Sequence, residues 1–507
     1  MNCDMPVLHE WNPTQFFALW IHPFVWLFYK IQGNSEQVIL IFRYLFTVIW
    51  GLSALFLFFR LKKVSFVGAA LASLIFLAFV PYGQLALYYN TIGLIALSSA
   101  LAIVITAEKY KKIQYSVAGF LLAVAVTCCP FLLLLYFAFF VVAVVFALKK
   151  NKEYLLMFFY ITVGTIPAII YFYIYYVVPS SLQDFINGIP HLLSDRQHQF
   201  TYSEKFIGFF KSVFLSSPMI ILIILMIIAF LIADRKKKKV KVAGFVAVCI
   251  SSLILDVDFY LKMNPNSNCY IFTPIFIGLY CGLMSKNEKA KKLFYFMWLP
   301  GLIYMFCINI SSEVGFDAVV IPAIICTMAS CFLCSIFISE ISSDNEGGSR
   351  RICTISSSVL AATTIGILLF GMTFYAFANG ETITLNAKIE QGPCKGLYCT
   401  QEIKDRYSAV VSELETFRDG EHENVLLLCH YWSYLDIDKK PVLCSCFYPF
   451  VDDVLLDQLE EYYDLYPQFT PDAIYIGSKY TDLLARIESY GYSGEQTPSG
   501  GYILYRD

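Results

Sequence analysis

From residue 36 to residue 379 the chain is almost continuously apolar, and polar positions return only in short, regularly spaced clusters. Residues 64–107 and 113–148 contain no charged side chain. A bilayer-crossing helix needs roughly 20 apolar residues. The pattern predicts spans at 36–60, at 64–107 divided by Pro81-Tyr82-Gly83, and at 113–148 divided near Cys129-Pro130. Further spans are expected at 154–178, 214–233, 242–260, 269–285, 293–311, 318–339 and 352–378, twelve in all. Pro and Gly are the residues that punctuate such runs.

After residue 380 the apolar runs shorten and charges return. Glu402–Arg418, Val451–Tyr463 and Lys479–Tyr490 read as helices. Asn424–Cys429, Asp472–Gly477 and Gly501–Tyr505 read as buried strands. Alternation of strands and helices predicts a small α/β domain. The expected fold is thus an all-α multispanning membrane protein with a C-terminal α/β domain, divided as 1–35, 36–379 and 380–507.

Lys and Arg orient the spans. One set of alternate connections carries 21 of them, including Arg60-Leu61-Lys62-Lys63 and Arg235–Lys239, against 5 in the other set. The basic set is assigned to the cytoplasm. Residues 1–35, the loop 179–213, the loop 261–268, the turn 311–317 and the tail are therefore expected outside, in a multi-pass cell-membrane protein. Residues 1–35 show no basic segment leading into an apolar run, so no signal peptide is read there.

Composition adds exclusions. Only 15% of the 507 residues are charged, against 58% hydrophobic, and mean hydropathy is +0.62. Soluble domains carry roughly 25% charged residues, so a soluble cytosolic enzyme is excluded. With 37 Lys and Arg against 39 Asp and Glu, nucleic acid is not an expected partner. The 16 cysteines show no paired zinc-type spacing, and most lie in apolar runs as small packing residues, so no metal ligands are assigned. The tail lacks a Walker motif and a G-x-G-x-x-G loop.

Candidate chemistry concentrates in residues 1–60. Phe16–Tyr29 is aromatic and apolar but only 14 residues long, too short to span, and suits a helix lying in the membrane interface. Around it stand Cys3-Asp4, Leu8-His9-Glu10-Trp11-Asn12-Pro13-Thr14-Gln15, the turn Gly33-Asn34-Ser35-Glu36, and Arg43 early in the next span. This arrangement resembles the first outer loop of the GT-C membrane glycosyltransferases, the polyprenyl-phosphate-sugar-dependent group that includes protein mannosyltransferase-like and lipid A aminoarabinose transferase-like enzymes. The resemblance extends to Tyr82, Tyr88-Tyr89-Asn90, Ser311–Phe316 and Gln391-Gly392-Pro393-Cys394-Lys395-Gly396-Leu397-Tyr398. Cys3 and His9 depart from the family's Gly and second acid. The family layout also places a helix before the first acid, which implies one upstream of Met1.

The resemblance implies transfer of a sugar from a polyprenyl-phosphate carrier to a glycan, lipid or protein acceptor at the outer face. Asp4 is then the first candidate general base and Glu10 the second, since a carboxylate near a low-dielectric surface is tuned for that task. Arg43 is the candidate partner of the leaving phosphate. Substrate contacts are assigned to His9, Tyr89, Asn90, Arg196, Lys262 and Glu313. No cofactor is assigned, and a divalent cation is left open. Asp256 and Asp258, two apart near a span end, are alternative ion or catalytic groups. The rival readings are a non-enzymatic transporter of lipid-linked sugar or envelope polymer, and a degenerate, inactive relative.

Overall fold

The computed structural model describes residues 15–148, 152–193, 200–233, 237–264, 267–312, 315–342, 347–376, 380–418, 422, 424–429, 432–437 and 452–506. The chain forms two compact units. One comprises residues 1–44, 170–199 and 383–507, and the other residues 45–169 and 200–382.

All twelve expected apolar segments are helical, and all but the start of the first and the end of the sixth lie in the second unit. Among the described residues eight helices are long and apolar enough to cross a membrane: Val38–Leu61, Tyr89–Thr106, Pro130–Leu148, Glu153–Val177, Lys238–Lys262, Glu288–Ser311, Ala323–Ile341 and Gly348–Phe374. Tyr202–Leu215 and Pro218–Ile232, bent by 86°, make a ninth if counted as one span. The four remaining expected segments fall short for visible reasons. Phe66–Ala78, Pro218–Ile232 and Asn268–Met284 are too short, and Lys111–Cys128 opens with two lysines.

The core of this unit is the helix Ala323–Ser342, which packs against Phe66–Ala78, Ile275–Met284 and Leu299–Ser311. It is apolar on every side, as a helix surrounded by others must be. Val38–Leu61, Pro130–Leu148 and Gly348–Phe374 instead expose most of their apolar surface, the disposition of helices that face lipid. Ser65 caps the Phe66 helix by accepting from the Gly68 amide at 3.2 Å. The Trp50 indole donates to the Phe76 carbonyl at 3.0 Å while its ring stacks on Phe76.

In the first unit a four-stranded sheet runs in the spatial order Val425–Leu428, Ala473–Ile476, Tyr502–Arg506, Tyr492–Gln496. The first pair is parallel and the other two are antiparallel. Period-two alternation divides the inner strands between two cores. Leu426, Leu428, Ile474 and Ile476 pack on the helix Asp453–Leu465. Val425, Leu427, Ala473 and Tyr475 pack on the helix Gln401–Leu414. With helices on both faces, these strands read as continuous apolar runs, as expected for buried strands.

The aromatic segment near the N-terminus is helical at Ala18–Gln32, after a 3-10 turn at Gln15–Phe17. It packs through Phe16, Leu19 and Trp20 onto Tyr171, Phe172, Tyr175 and Tyr176. Phe24, Trp26, Leu27 and Ile31 stay exposed.

Candidate functional site

Of the residues singled out in the sequence, Asp4, His9, Glu10, Arg196 and Glu313 lie outside the described residues. Arg43 belongs to the first unit, and Tyr89, Asn90 and Lys262 belong to the second.

The surroundings of Arg43 are built by the N-terminus of the helix Val38–Leu61 and the loop 391–396. A helix start leaves its first backbone N–H groups unsatisfied. Here the Gln37 amide donates to the Gly392 carbonyl at 3.0 Å and the Ile39 amide to the Pro393 carbonyl at 3.2 Å. Lys395 Nζ donates to Glu36 Oε1 at 2.9 Å. The loop can approach this closely because of its glycines. Gly392 has φ +72°, and a Cβ there would lie 2.4 Å from the Tyr407 hydroxyl. Gly396 has φ +87°, and a Cβ there would lie 2.7 Å from Leu40 Cδ2.

Tyr407 organises the loop from beneath. Its hydroxyl accepts from the Cys394 amide at 3.3 Å and donates to the Gln391 carbonyl at 3.2 Å. Burial pushes the Cys394 thiol up to about 12, a rise moderated by the Tyr407 hydrogen bond and by the positive charge of Arg43, and reinforced by Asp436. Cys394 thus senses both charges. Asp436 is buried and ion-paired with Arg418, whose Nε also donates to the Asp436 carbonyl at 3.2 Å. Arg43 itself is exposed. Its guanidinium offers planar, paired donors, the geometry that suits phosphate or carboxylate.

The second unit gathers a different polar cluster. The Tyr82 amide donates to Asn268 Oδ1 at 2.8 Å. The Asn268 amide donates to Asp317 Oδ1 at 2.8 Å, and Asn268 Nδ2 to the Asp317 carbonyl at 3.0 Å. Ser267 Oγ also donates to Asp317 Oδ1. Asn268 therefore links three connections that are far apart in sequence, accepting from one and donating to another. Asp317 and Asn268 were not singled out from the sequence. The available signal was an acid in the turn after Ser311 and the polar run Asn264–Asn268, but their pairing is not a periodicity.

Tyr89 and Asn90 begin the helix Tyr89–Thr106, and Asn90 is buried as hydrogen-bond partner to the Tyr88 and Tyr89 phenols. Lys262 is ion-paired with Asp258 at 2.7 Å, and Asp258 also accepts from Ser217 Oγ at 2.8 Å. Asp256 is fully buried and accepts from Thr273 Oγ1 at 2.8 Å. Asp256 and Asp258 thus have separate partners, because positions two apart project from a helix in nearly opposite directions. Among the described residues no group of three or more His, Cys, Asp or Glu side chains is placed to hold a metal ion. Cys394 and Cys399 of the tail are not in disulfides.

No protein-family model matches the chain, and no curated protein matches it.

Proposed function

We propose that this chain is an integral membrane glycosyltransferase that moves a sugar from a polyprenyl-phosphate carrier to an envelope acceptor at the outer face. Asp4 or Glu10 serves as base, and Arg43 receives the leaving phosphate. The observation that supports this reading best is a convergence. Residues 36–43 and 391–398, which both carry the GT-C resemblance and lie some 350 positions apart, interlock through the Gln37–Gly392, Ile39–Pro393 and Glu36–Lys395 contacts. Arg43 lies within electrostatic reach of that loop at Cys394. An apolar helix that begins at such a cap and carries a guanidinium near its start suits a lipid phosphate, with its tail in the membrane and its charge at the edge.

The test is sugar transfer by membranes containing the chain, supplied with a panel of polyprenyl-phosphate sugars. Asp4→Asn keeps size and polarity but removes basicity, and loss of a general base costs about 10²–10⁴-fold. Arg43→Lys is expected to impair transfer as well, because an ammonium does not reproduce the planar fork. Full turnover in Asp4→Asn with Glu10→Gln inactive reassigns the base to Glu10. Full turnover in the double variant refutes the site.

A further inference from the structure

Asp256 lies within the apolar helix Lys238–Lys262 and is 0% exposed. One oxygen, Oδ1, accepts from Thr273 Oγ1 at 2.8 Å. The other, Oδ2, is buried and has no hydrogen-bond partner. One helical turn earlier, the buried Ser252 hydroxyl also lacks a partner. A carboxylate removed from water with a single hydrogen bond is costly to keep charged. Ionisable groups inside membrane helices are therefore rare and functional by default.

The partner side chain adds a second observation. Thr273 is fully buried in the turn joining the 3-10 segment Asn268–Ile271 to the helix Ile275–Met284, and Pro274 follows it. Proline has no amide to continue the ladder. Asp256 thus faces a break within an apolar helical segment. Broken helices at membrane depth are the places where ions and protons are handled.

Titratable groups stand on this helix and on the elements packed against it. On the helix itself they are Cys249, Asp258, Tyr260 and Lys262, with Lys262 committed to Asp258, and Lys238, Lys239 and Lys241 at the far end, about four turns or more away. The Asn268 segment brings Cys269 and Tyr270, and the Ile275 helix brings Tyr280 and Cys281. The short helix Phe316–Val319, in contact through Phe316 and Phe259, brings Asp317, which is held by Ser267 and Asn268. The helix Ala323–Ser342, in contact through Phe337 and Phe245, brings Cys326, Cys331, Cys334 and Glu340, of which Cys334 interacts with Cys249 and Glu340 accepts from Ser285. The helix Gly347–Phe374 brings Arg350, Arg351 and Cys353 near its start. Cys353 interacts with Cys249, two turns before Asp256, so both arginines lie further away still. The helix Pro218–Ile232 has no titratable side chain. No Lys or Arg among the described residues is ion-paired with Asp256.

We propose that Asp256 is a proton-exchange site: it holds a proton in the conformation seen here and releases it to water when the Thr273–Pro274 break opens. In the release step the carboxyl O–H bond breaks, its electron pair stays on the carboxylate, and the proton leaves as hydronium. Thr273 remains as a hydroxyl donor to the anion. A proton needs no coordination shell beyond the carboxyl, which fits a side chain with one hydrogen-bond partner. The inference is independent of the glycosyltransferase reading and holds whether the chain transfers sugars or moves them.

Dicyclohexylcarbodiimide, a lipophilic reagent that modifies protonated carboxyls, tests it on the full chain in liposomes, with the adduct located by peptide mass spectrometry. Labelling of Asp256 is expected under acid conditions, and it should fall about tenfold per pH unit once the carboxyl ionises. Thr273→Val removes a donor to the anion and should move the loss of labelling to higher pH. A difference infrared spectrum provides a readout independent of reagent access. A protonated-carboxyl carbonyl band should appear on acidification and be missing in Asp256→Asn. Labelling that ignores pH, or absence of that band from the parent chain, overturns the proposal. Suppression of labelling by sodium chloride at constant pH also overturns it, in favour of an alkali-cation site.

Discussion

Gly33 and Gly392 share nearly the same backbone conformation, with φ +76° and +72°, but not the same surroundings. Gly33 ends the helix Ala18–Gln32, donating its amide to the Tyr29 carbonyl, and a Cβ there would meet nothing within 4 Å. At Gly392 the same atom would press on the Tyr407 hydroxyl. Gly33→Ala should therefore cost only the left-handed strain, about 1–2 kcal/mol. Gly392→Ala should add about 1–3 kcal/mol of overpacking. Thermal unfolding of the two variants checks the order, and equal midpoints would remove the steric account of the loop. Cys394 offers a second check. Its folded pKa, about 12, is raised from the ordinary 9.0 chiefly by burial. The stability linked to this thiol is full below pH 9 and is lost as pH rises through 12, because only the unfolded chain releases the proton in that window. At pH 8 iodoacetamide should leave Cys394 unmodified in the folded chain and modify it after denaturation, read by peptide mass spectrometry. Equal modification in both states would contradict the burial.

Helices were legible because apolar runs punctuated by Pro and Gly leave few alternatives, and each expected segment is helical. Strands were legible where both faces are buried, as at Val425–Leu428 and Ala473–Ile476. Tyr492–Gln496 was not, because Tyr492-Ser493-Gly494-Glu495-Gln496 has weak β-propensity and is mostly exposed, so its strand character comes from antiparallel pairing with Tyr502–Arg506. The candidate site followed the same rule. Arg43 stands out as a charge in an apolar run, whereas the Tyr82–Asn268 hydrogen bond joins positions 186 apart and leaves no local trace. The tail separates these effects. Its two cores draw all their residues from positions 410–505. The small core around Cys394 and Tyr407 instead borrows Ile39. Residues 383–507 expressed alone should show protected amides in Val425–Leu428, Ala473–Ile476 and Tyr502–Arg506, and faster exchange at 389–397 than in the full chain. Hydrogen exchange read by mass spectrometry measures both. Unprotected strands would show that the sheet depends on the rest of the chain.

At the scale of the whole molecule, each compact unit is assembled from segments distant in sequence, which no reading of periodicity anticipates. The tail belongs with residues 1–44 and 170–199. His191 of the helix Leu182–Leu193 meets Glu461 at 3.3 Å, and Glu36 meets Lys395. Segments that share a compact unit and lie outside the spans should share one side of the membrane, and the basic connections should lie on the other. From the 21-to-5 partition of Lys and Arg, that other side is predicted to be the cytoplasm. Lys289 and Glu488 are both exposed and lie on opposite sides in this scheme. A cysteine introduced as Glu488→Cys should react with a membrane-impermeant maleimide in intact cells. One introduced as Lys289→Cys should react only after the membrane is opened. The native thiols described here are buried or partly buried, so an added exposed thiol gives a readable increment. The opposite pattern would invert the topology and place the tail in the cytoplasm, where the Arg43 region would face nucleotide sugars rather than an envelope acceptor. Labelling of both without opening the membrane would mean that an even number of spans separates the two sites, so that one of Glu288–Ser311, Ala323–Ile341 and Gly348–Phe374 does not cross.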